Sequence, residues 1–447
     1  MLIKAISRRS LLLLVSDAVT IAISYAVAFY LRTGRIANTS GEFPPFVYFS
    51  IVIFLTLFYV FDLYYPFKHF NLGQTSLDVL FSVAIGTVIS AAAAYLDRTL
   101  ILPRYMFAIT AGGIFPFVLL VRVVYDFIFK TRFLDKRTLI LGSGKLAAEM
   151  GETIKRTPHS GLAIVGMVYE ERKPNTKSKN GFSIVGGMKQ LLSLIDWYNV
   201  DLVVLALDPD KELSETSVMS ELLQRRVMVT SAVHLFEQIK GEVPYRLLGS
   251  HFLLGLMAQI RKRPYLKLKR LTDVVFASAL LVILAPVLLL AMILLSFQGP
   301  TKIFFVQERV GRGGLPFQLI KLRSMRPGKD KKQIITGIGR WMRKFRVDEI
   351  PQLINVLKGD MSLIGPRPEI PYFVRRCRLK IPFYDAVFSV KPGLTGWAQI
   401  RFHHSTTIKE YDQKFRYNLY YLKNISLTLD LMIVLKTIRV VLLGKGK

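Results

Sequence analysis

The sequence predicts a membrane protein of combined α and α/β class, on three observations. Four long apolar stretches fill the first 130 residues, short apolar strands alternating with helical segments follow, and a fifth apolar stretch opens a strongly basic C-terminal part. Of the 447 residues 51% are hydrophobic and 21% charged, which supplies cores throughout and excludes a largely disordered chain. The formal charge of +30 is uneven: residues 261–447 hold 35 basic and 11 acidic side chains, whereas residues 1–260 carry only +6. Such a basic half implies a polyanionic partner: nucleic acid, an anionic membrane or phosphorylated substrates. A single cysteine, Cys377, excludes an internal disulfide framework and a cysteine-based zinc cluster.

The apolar stretches run roughly over residues 11–31, 46–61, 79–96 and 105–129. Each approaches the ~20 residues that cross a ~30 Å hydrocarbon layer. Lys4, Arg8 and Arg9 precede the first, and Lys130, Arg132, Lys136 and Arg137 follow the fourth, so positive charge places both ends of the bundle in the cytoplasm. No small-residue cleavage site follows the first stretch, which argues against a signal peptide. Asp17 and Arg122 lie at membrane depth, where ionisable groups either serve function or hydrogen-bond between helices and snorkel.

From Arg137 the texture is α/β. Strands are predicted at residues 138–141, 162–169, 202–207 and 227–230, and their alternation with helices predicts a parallel sheet covered on both sides. Gly142, Gly144 and Ala147 form a GxGxxA turn, which makes this segment Rossmann-like and these residues candidate nucleotide ligands. Glu170 or Glu171 stands at the spacing of a ribose-binding carboxylate. A lone fingerprint of this kind is more often a packing, oligomerisation or sensing domain, and the polar run 171–180 reads as a solvated loop.

Residues 274–297 form a 24-residue uncharged stretch with basic clusters on both sides. Crossing the bilayer would carry the whole +24 segment outside, against the positive-inside bias. Pro286 near its middle removes a backbone hydrogen bond and kinks a helix. A helix over about 271–300 that enters one leaflet, breaks at Pro286 and returns satisfies both constraints. The expected organisation is therefore a four-transmembrane-helix region over 1–131, a Rossmann-like domain over 132–255, and a mainly helical domain over 261–447 that carries the re-entrant helix.

The last 150 residues concentrate the chemistry. Gln307–Gly314 joins a glycine-rich turn to cations, and Lys321-Leu-Arg323 follows. Asp348 and Glu349 sit directly behind Arg340, Arg343, Lys344 and Arg346, ahead of a helix with Pro351 in its first turn and Gly359 as its stop. A positive helix end and nearby arginines favour the ionised form of Asp348, and an ionised carboxylate can attack phosphorus while arginines neutralise phosphoryl charge. Glu349, rotated by about 100° on a helix, could hold a divalent cation beside it. An N-capping aspartate with solvated ion pairs would give the same spacing. Arg367 stands between Pro366 and Pro368 in a turn of nearly fixed backbone, suited to bidentate phosphate recognition. Residues 391–399 form a second rigid loop with Trp397, and residues 427–443 an apolar terminal stretch with Asp430.

Six ordered strings, KRLTD (269–273), FVQERVGRGGLPF (305–317), KLRSM (321–325), VDEIPQLINVLKGDMSLIGPRPE (347–369), KPGLTGWAQ (391–399) and LDLMIVLKT (429–437), resemble the bacterial sugar transferase family, the monotopic polyprenyl-phosphate sugar-1-phosphate transferases. The resemblance runs from about Lys267 to Val441; the four-span N-terminus with a CoA-binding-like segment is similar to the larger members. It implies a phosphoglycosyl transferase of the bacterial inner membrane, multi-pass, with its catalytic domain on the cytoplasmic face. A UDP-sugar is the implied donor and polyprenyl phosphate the acceptor; UMP leaves and an aspartyl-phosphosugar intermediate forms, in the initiating step of cell-surface polysaccharide synthesis. Asp348 matches the family nucleophile and Glu349 a Mg²⁺ ligand. The implied phosphate-binding set is Lys321, Arg323, Arg343 and Arg367 with the acidic Asp430. A homodimer is a candidate assembly, and nucleic acid is not an expected partner, since the charge rides on Gly/Pro turns and apolar helices. Two positions depart from the family pattern: residues 399–404 read Gln-Ile-Arg-Phe-His403-His404, and Asn418 replaces an aspartate. The alternative reading is a membrane-bound nucleotide-sugar dehydratase, which would need a second complete GxGxxG that residues 261–447 do not contain.

Overall fold

The computed structural model describes residues 8–34, 45–64, 71–96, 104–130, 135–142, 144–157, 160–169, 182–206, 222, 227–248, 255, 265–297, 303–327, 333–402 and 406–442. Glu170, Glu171, the polar run 171–180 and His403-His404 lie outside them. The chain divides into two compact units, Met1–Leu235 and Phe236–Lys447.

The first unit begins with four apolar helices: α1 (Arg8–Thr33), α2 (Pro45–Val60), α3 (Leu72–Leu96) and α4 (Arg104–Lys130). Within α1, α3 and α4 the stretches Leu11–Arg32, Leu72–Tyr95 and Tyr105–Ile128 are long and apolar enough to cross a membrane. Helix α2, with 16 residues, is shorter; at 1.5 Å per residue it reaches about 24 Å. The two ionisable residues singled out at membrane depth find each other. Arg122 donates to both Asp17 oxygens, at 2.6 and 3.2 Å, and the Asp17 side chain is 0% exposed. The guanidinium also lies 5.5 Å from the Tyr64 ring centroid. The pair joins α1 to α4 and leaves neither charge facing lipid.

The same unit carries a five-stranded sheet in the order β3-β2-β1-β4-β5, built from β1 (Lys136–Leu141), β2 (Leu162–Tyr169), β3 (Ile184–Gly187), β4 (Leu202–Leu205) and β5 (Met228–Ser231). All neighbours run parallel, as apolar strands alternating with helices α5 (Lys145–Lys155) and α6 (Leu191–Tyr198) require. Four strands fall where the sequence placed them; β3 is a four-residue edge strand whose short Ile-Val-Gly-Gly run gives no separate signal. Gly142 ends β1 at φ +139°, and a Cβ there would lie 2.3 Å from the Ala206 carbonyl oxygen, so strand packing alone demands this glycine. Gly144, ahead of α5, has open space around it.

Helix α7 (Ala232–Lys240) straddles the division between the units. The second unit continues through α8 (Tyr265–Ser296), a 32-residue helix with Pro286 inside it and a fourth stretch long and apolar enough to cross a membrane. An antiparallel hairpin follows, β6 (Phe304–Val310) with β7 (Pro316–Leu322), then a small antiparallel pair, β8 (Met325–Pro327) with β9 (Gln333–Ile335). Helices α9 (Gly337–Lys344) and α10 (Gln352–Lys358) flank a 3₁₀ turn at Val347–Glu349. Strand β10 (Ser362–Ile364), α11 (Pro371–Lys380), β11 (Gly393–Thr395), α12 (Trp397–Arg401), α13 (Ile408–Asn424) and α14 (Leu427–Leu442) complete the unit, with β10 and β11 parallel. One core joins α8 to the hairpin, α9 and α10: Ala277 and Ala291 of α8 pack with Leu322, Met342, Leu353 and Val356.

Removing one member of a buried ion pair strands the other, at a cost of about 3–5 kcal/mol. Arg122→Leu is therefore expected to lower the melting temperature sharply, and Asp17→Leu/Arg122→Leu to recover much of the loss, as read by thermal unfolding in detergent. Equal losses in the single and double variants would count against the pair.

Candidate active site

The membrane-associated helix positions the site through its polar start. Arg270 donates to the carbonyls of Val356 and Leu357 at 2.6 and 2.9 Å, satisfying acceptors that the end of α10 leaves open. Asp273 accepts from Ser362 Oγ and the Leu363 amide, both at 3.0 Å, and so fixes β10. Asn355, in the middle of α10, accepts from the Ile320 amide at 3.0 Å and donates to the Gln318 carbonyl at 2.7 Å. Helix α10 is thereby pinned to β7, the strand that carries Lys321.

Asp348 and Glu349 lie in the 3₁₀ turn ahead of α10, reached through Arg346 in the left-handed region at φ 56°. That turn reverses the chain sharply after α9, a conformation costly for a side chain other than glycine and held by its surroundings. Pro351 precedes the first helical turn, and Gly359 ends α10 at φ 97°. Asp348 is 8% exposed. Burial, together with the like charge of Glu349, raises its carboxyl to about 6, against the opposing pull of Lys321 and Arg343. The sequence argument had the neighbouring arginines favouring ionisation; burial and the paired carboxylate outweigh them. Above pH 6 the carboxylate form still predominates.

Glu349 is held differently. Burial works against its charge, yet Arg367 and Arg346 keep its carboxyl below the usual range. Arg346 Nη1 stands 3.1 Å from one Glu349 oxygen and Arg367 Nη2 3.4 Å from the other. Burial lowers the Lys321 ammonium below the usual lysine value although Asp348 faces it, and its Nζ lies 5.0 Å from the Phe305 ring centroid. Lys321, Arg343 and Arg367 thus gather around the two acids. Arg323 is not among the charges acting most strongly on either acid; its amide donates to the Ile303 carbonyl at 2.8 Å.

Three charged residues inside or beside this set had no role in the sequence reading. Arg309 donates to the Pro368 carbonyl at 3.1 Å and to Gln307 Oε1 at 2.8 Å, bracing the turn that bears Arg367. Glu369 pairs with Lys414 of α13; burial opposes its charge, but Lys414, Arg367 and Arg309 hold its carboxyl below the usual range. Arg309 and Glu369 sit within the quoted strings, whereas Lys414 lies in an ordinary amphipathic helix where no local signal marks it.

The Arg367 turn is locked from below by backbone contact. The Gly365 amide donates to the Thr395 carbonyl at 2.9 Å and the Gly393 amide to the Pro366 carbonyl at 2.8 Å. A Cβ at Gly393 would lie 2.0 Å from the Gly365 nitrogen, and one at Gly396 2.0 Å from the Gly365 oxygen. Asp430 is engaged by side chains of its own unit. Its carboxylate accepts from Lys269 Nζ at 2.5 Å, Tyr265 Oη at 2.8 Å and Tyr421 Oη at 3.0 Å. This buried acid, held by three donors, ties α14 to α8.

Among the described residues no group of three or more His, Cys, Asp and Glu side chains could cage a metal ion. Asp348 and Glu349 offer hard oxygen donors of the kind Mg²⁺ takes when substrate phosphates and water complete its shell. The mutual repulsion that raises Asp348 is what a shared cation would relieve. The fit is to an ion held jointly with a phosphorylated substrate.

The raised carboxyl sets a stability test. Ionising Asp348 is harder in the folded chain, about 6, than at the ordinary 3.8, so folding loses stability as pH rises between those values, by about 3 kcal/mol when complete. Asp348→Asn is expected to be more stable than wild type at pH 8, with the gain closing towards pH 4 in thermal unfolding. A gain that ignores pH, or none at all, would remove burial strain as the cause.

The chain matches the bacterial sugar transferase family over residues 264–444 and a CoA-binding domain family over residues 60–231. It is 35% identical over 256 residues to a UDP-N-acetylgalactosamine-undecaprenyl-phosphate N-acetylgalactosaminephosphotransferase of Aeromonas hydrophila, covering 55% of this chain and 60% of that relative. It is 40% identical over 181 residues to a UDP-glucose:undecaprenyl-phosphate glucose-1-phosphate transferase of Caulobacter vibrioides, covering 38% of this chain and 68% of the relative. An Escherichia coli protein of the same description is 29% identical over 326 residues, 68% of this chain and 67% of its own length. With the paired acids, the surrounding cations and the locked arginine turn all inside the matched segment, the chain belongs to the bacterial sugar transferase family.

Proposed function

We propose that the protein transfers a sugar 1-phosphate from a UDP-sugar to polyprenyl phosphate, with UMP as the leaving product, as the first committed step of a cell-surface polysaccharide. The observation that carries this is Asp348, buried between Lys321 and Arg343 beside a Glu349 already clasped by Arg346 and Arg367. A carboxylate that burial has left poorly solvated is a better nucleophile than one in water, and surrounding guanidinium groups match the charge on a diphosphate.

In the proposed reaction an Asp348 oxygen attacks the β-phosphorus of the donor. The bond from that phosphorus to the bridging oxygen breaks, and UMP departs with the oxygen and its electron pair. Arg367, frozen between two prolines, and Lys321 hold the phosphoryl oxygens in line. A phosphate oxygen of the polyprenyl acceptor then attacks the same phosphorus, the aspartyl bond breaks, and the free carboxylate returns as the polyprenyl diphosphate sugar forms. Mg²⁺ on Asp348, Glu349 and the donor phosphates would offset the charge that develops there. Arg343, with Lys321, opposes the burial and like charge that raise the Asp348 carboxyl. Nothing in the site favours the dehydratase reading.

The setting is the cytoplasmic face of a bacterial inner membrane, with the chain multi-pass through its N-terminal helices. For α8 a re-entrant course bending at Pro286 is supported by two features. Residues on both sides of the proline, Ala277 and Ala291, share one core with the soluble part of the unit. The middle of the helix is its bare region, with Val282 74% and Ile283 68% exposed. Between the N-terminal helices and the catalytic segment, the 3-2-1-4-5 parallel order supports a Rossmann-like domain, where Gly142, Gly144 and Ala147 would border a nucleotide. A homodimer belongs to the same proposal.

Purified protein with Mg²⁺, polyprenyl phosphate and a panel of UDP-sugars should release UMP with at least one of them, and EDTA should stop it. Asp348→Asn should lower the rate by more than about a thousandfold, the scale of losing a nucleophile. In wild type the rate should climb through an apparent pKa near 6 as Asp348 ionises. UMP release that survives in Asp348→Asn would sink the nucleophile assignment.

Single cysteines at Lys267 and Phe297, placed on a Cys377→Ser background, should both react with an impermeant maleimide from the cytoplasmic side only. Reaction of the Phe297 site from the opposite face would mean that α8 crosses.

A further inference from the structure

Residues 236–248 precede the family-matched segment, which starts at residue 264, yet they belong to the same compact unit as the active site. They lie along α13 as a buried strut. Glu237 accepts from Lys423 Nζ at 2.7 and 3.0 Å. The Gly241 carbonyl accepts the Trp397 indole N–H at 2.7 Å. Gly241 has φ +67°, and a Cβ there would come within 2.9 Å of the indole ring, so the approach admits only glycine. Gln413 donates to Glu242, and the Val243 amide to the Arg416 carbonyl at 3.2 Å. Tyr245 Oη donates to Asp412 at 2.5 Å, and Arg246 donates to the same oxygen at 3.0 and 2.8 Å. The Tyr245 ring meets Phe415 edge-on at 4.9 Å.

What the strut holds leads straight to the site. Lys414, flanked on α13 by the strut's partners Gln413 and Phe415, pairs with Glu369, two residues from Arg367. Trp397 follows Gly396, whose backbone is packed on the Gly365 carbonyl below the Arg367 turn. The indole is also stacked on Tyr420 of α13 at 5.3 Å. Two routes, one ionic and one through backbone contact, therefore run from the strut to Arg367.

We propose that residues 236–248 are positioning residues for the transfer reaction: by clamping α13 and the Trp397 loop they hold Arg367 in register with Glu349 and the donor phosphates. The activity arm of this inference rests on the function proposed above; the anion-binding arm does not. A shift of about 1 Å at a phosphate-orienting arginine can cost up to a hundredfold in rate.

The test uses the full chain with two variants, Trp397→Phe, which removes the indole N–H and keeps a ring, and Tyr245→Phe/Arg246→Gln, which takes the strut's hydrogen bonds off Asp412 and leaves it only Arg416 among the described residues. Inorganic pyrophosphate, titrated by thermal shift, probes the cationic cradle without turnover. Both variants are expected to lose about tenfold or more in kcat for UMP release and to bind pyrophosphate about tenfold more weakly. Their KM for polyprenyl phosphate should stay within twofold, and Arg246→Lys, which keeps a cation on Asp412, should hold most of the activity. Folded variants with wild-type kcat and pyrophosphate midpoint would overturn the proposal. If the double variant unfolds, Trp397→Phe decides alone by the same two readings. If wild type releases no UMP but binds pyrophosphate, and the variants bind it more weakly, the proposal stands while the proposed reaction falls. A wild-type protein indifferent to pyrophosphate overturns it as well.

Discussion

Two carboxylates set side by side, Asp348 buried and Glu349 mostly shielded from water, are the constraint on which the second unit depends. Taking Asp348 and Glu349 out of water is unfavourable for each, and their proximity makes it worse for the pair. The surroundings divide the problem unequally. Glu349 receives two guanidinium groups and stays charged well below neutrality, while Asp348 receives longer-range help from Lys321 and Arg343 and is left near 6. One acid is charge-paired and the other poised, from environment alone.

That asymmetry is maintained by elements far apart in sequence. Lys321 comes from a hairpin strand, Arg343 from α9, Arg346 from a left-handed turn, and Arg367 from a loop after β10. Their common reference is α8, whose Arg270 holds the end of α10 and whose Asp273 holds β10. Lys269 of the same helix engages Asp430 of α14, and Tyr421, bound to that acid, also reaches the Ile364 carbonyl at 3.3 Å, just ahead of Gly365. The polar first turns of a lipid-associated helix thus set the geometry of the chemistry beside it.

Much of this was legible in the sequence. The four N-terminal helices, four of the five sheet strands, the proline-led helix after Asp348 and its glycine stop all follow from hydropathy, period and breaker residues. Local patterns also named Asp348, Glu349 and Arg367. What they could not convey was distance. The direction in which Asp348 shifts was misjudged because a chain shows which charges are adjacent and not how much water each retains. A motif marks Asp430 but not its three donors, Tyr265, Lys269 and Tyr421, two of them more than 150 positions away. Lys414 and the strut were invisible for the same reason: their partners are tertiary, and an amphipathic helix or a short polar stretch carries no sign of them. Asp17 and Arg122, 105 residues apart, were each suspicious alone, and the structure shows that each is the other's explanation.

The contact of Gly365 with Gly393 and Gly396 carries a mechanical consequence. Two backbone segments meet there with no side chain between them, so the arginine turn and the tryptophan loop cannot slide apart by rotamer changes; separating them means rupturing main-chain hydrogen bonds. The two segments behave as a single stiff plate beneath Arg367. Any motion that opens the surroundings of Arg367 has to be hinged outside this contact.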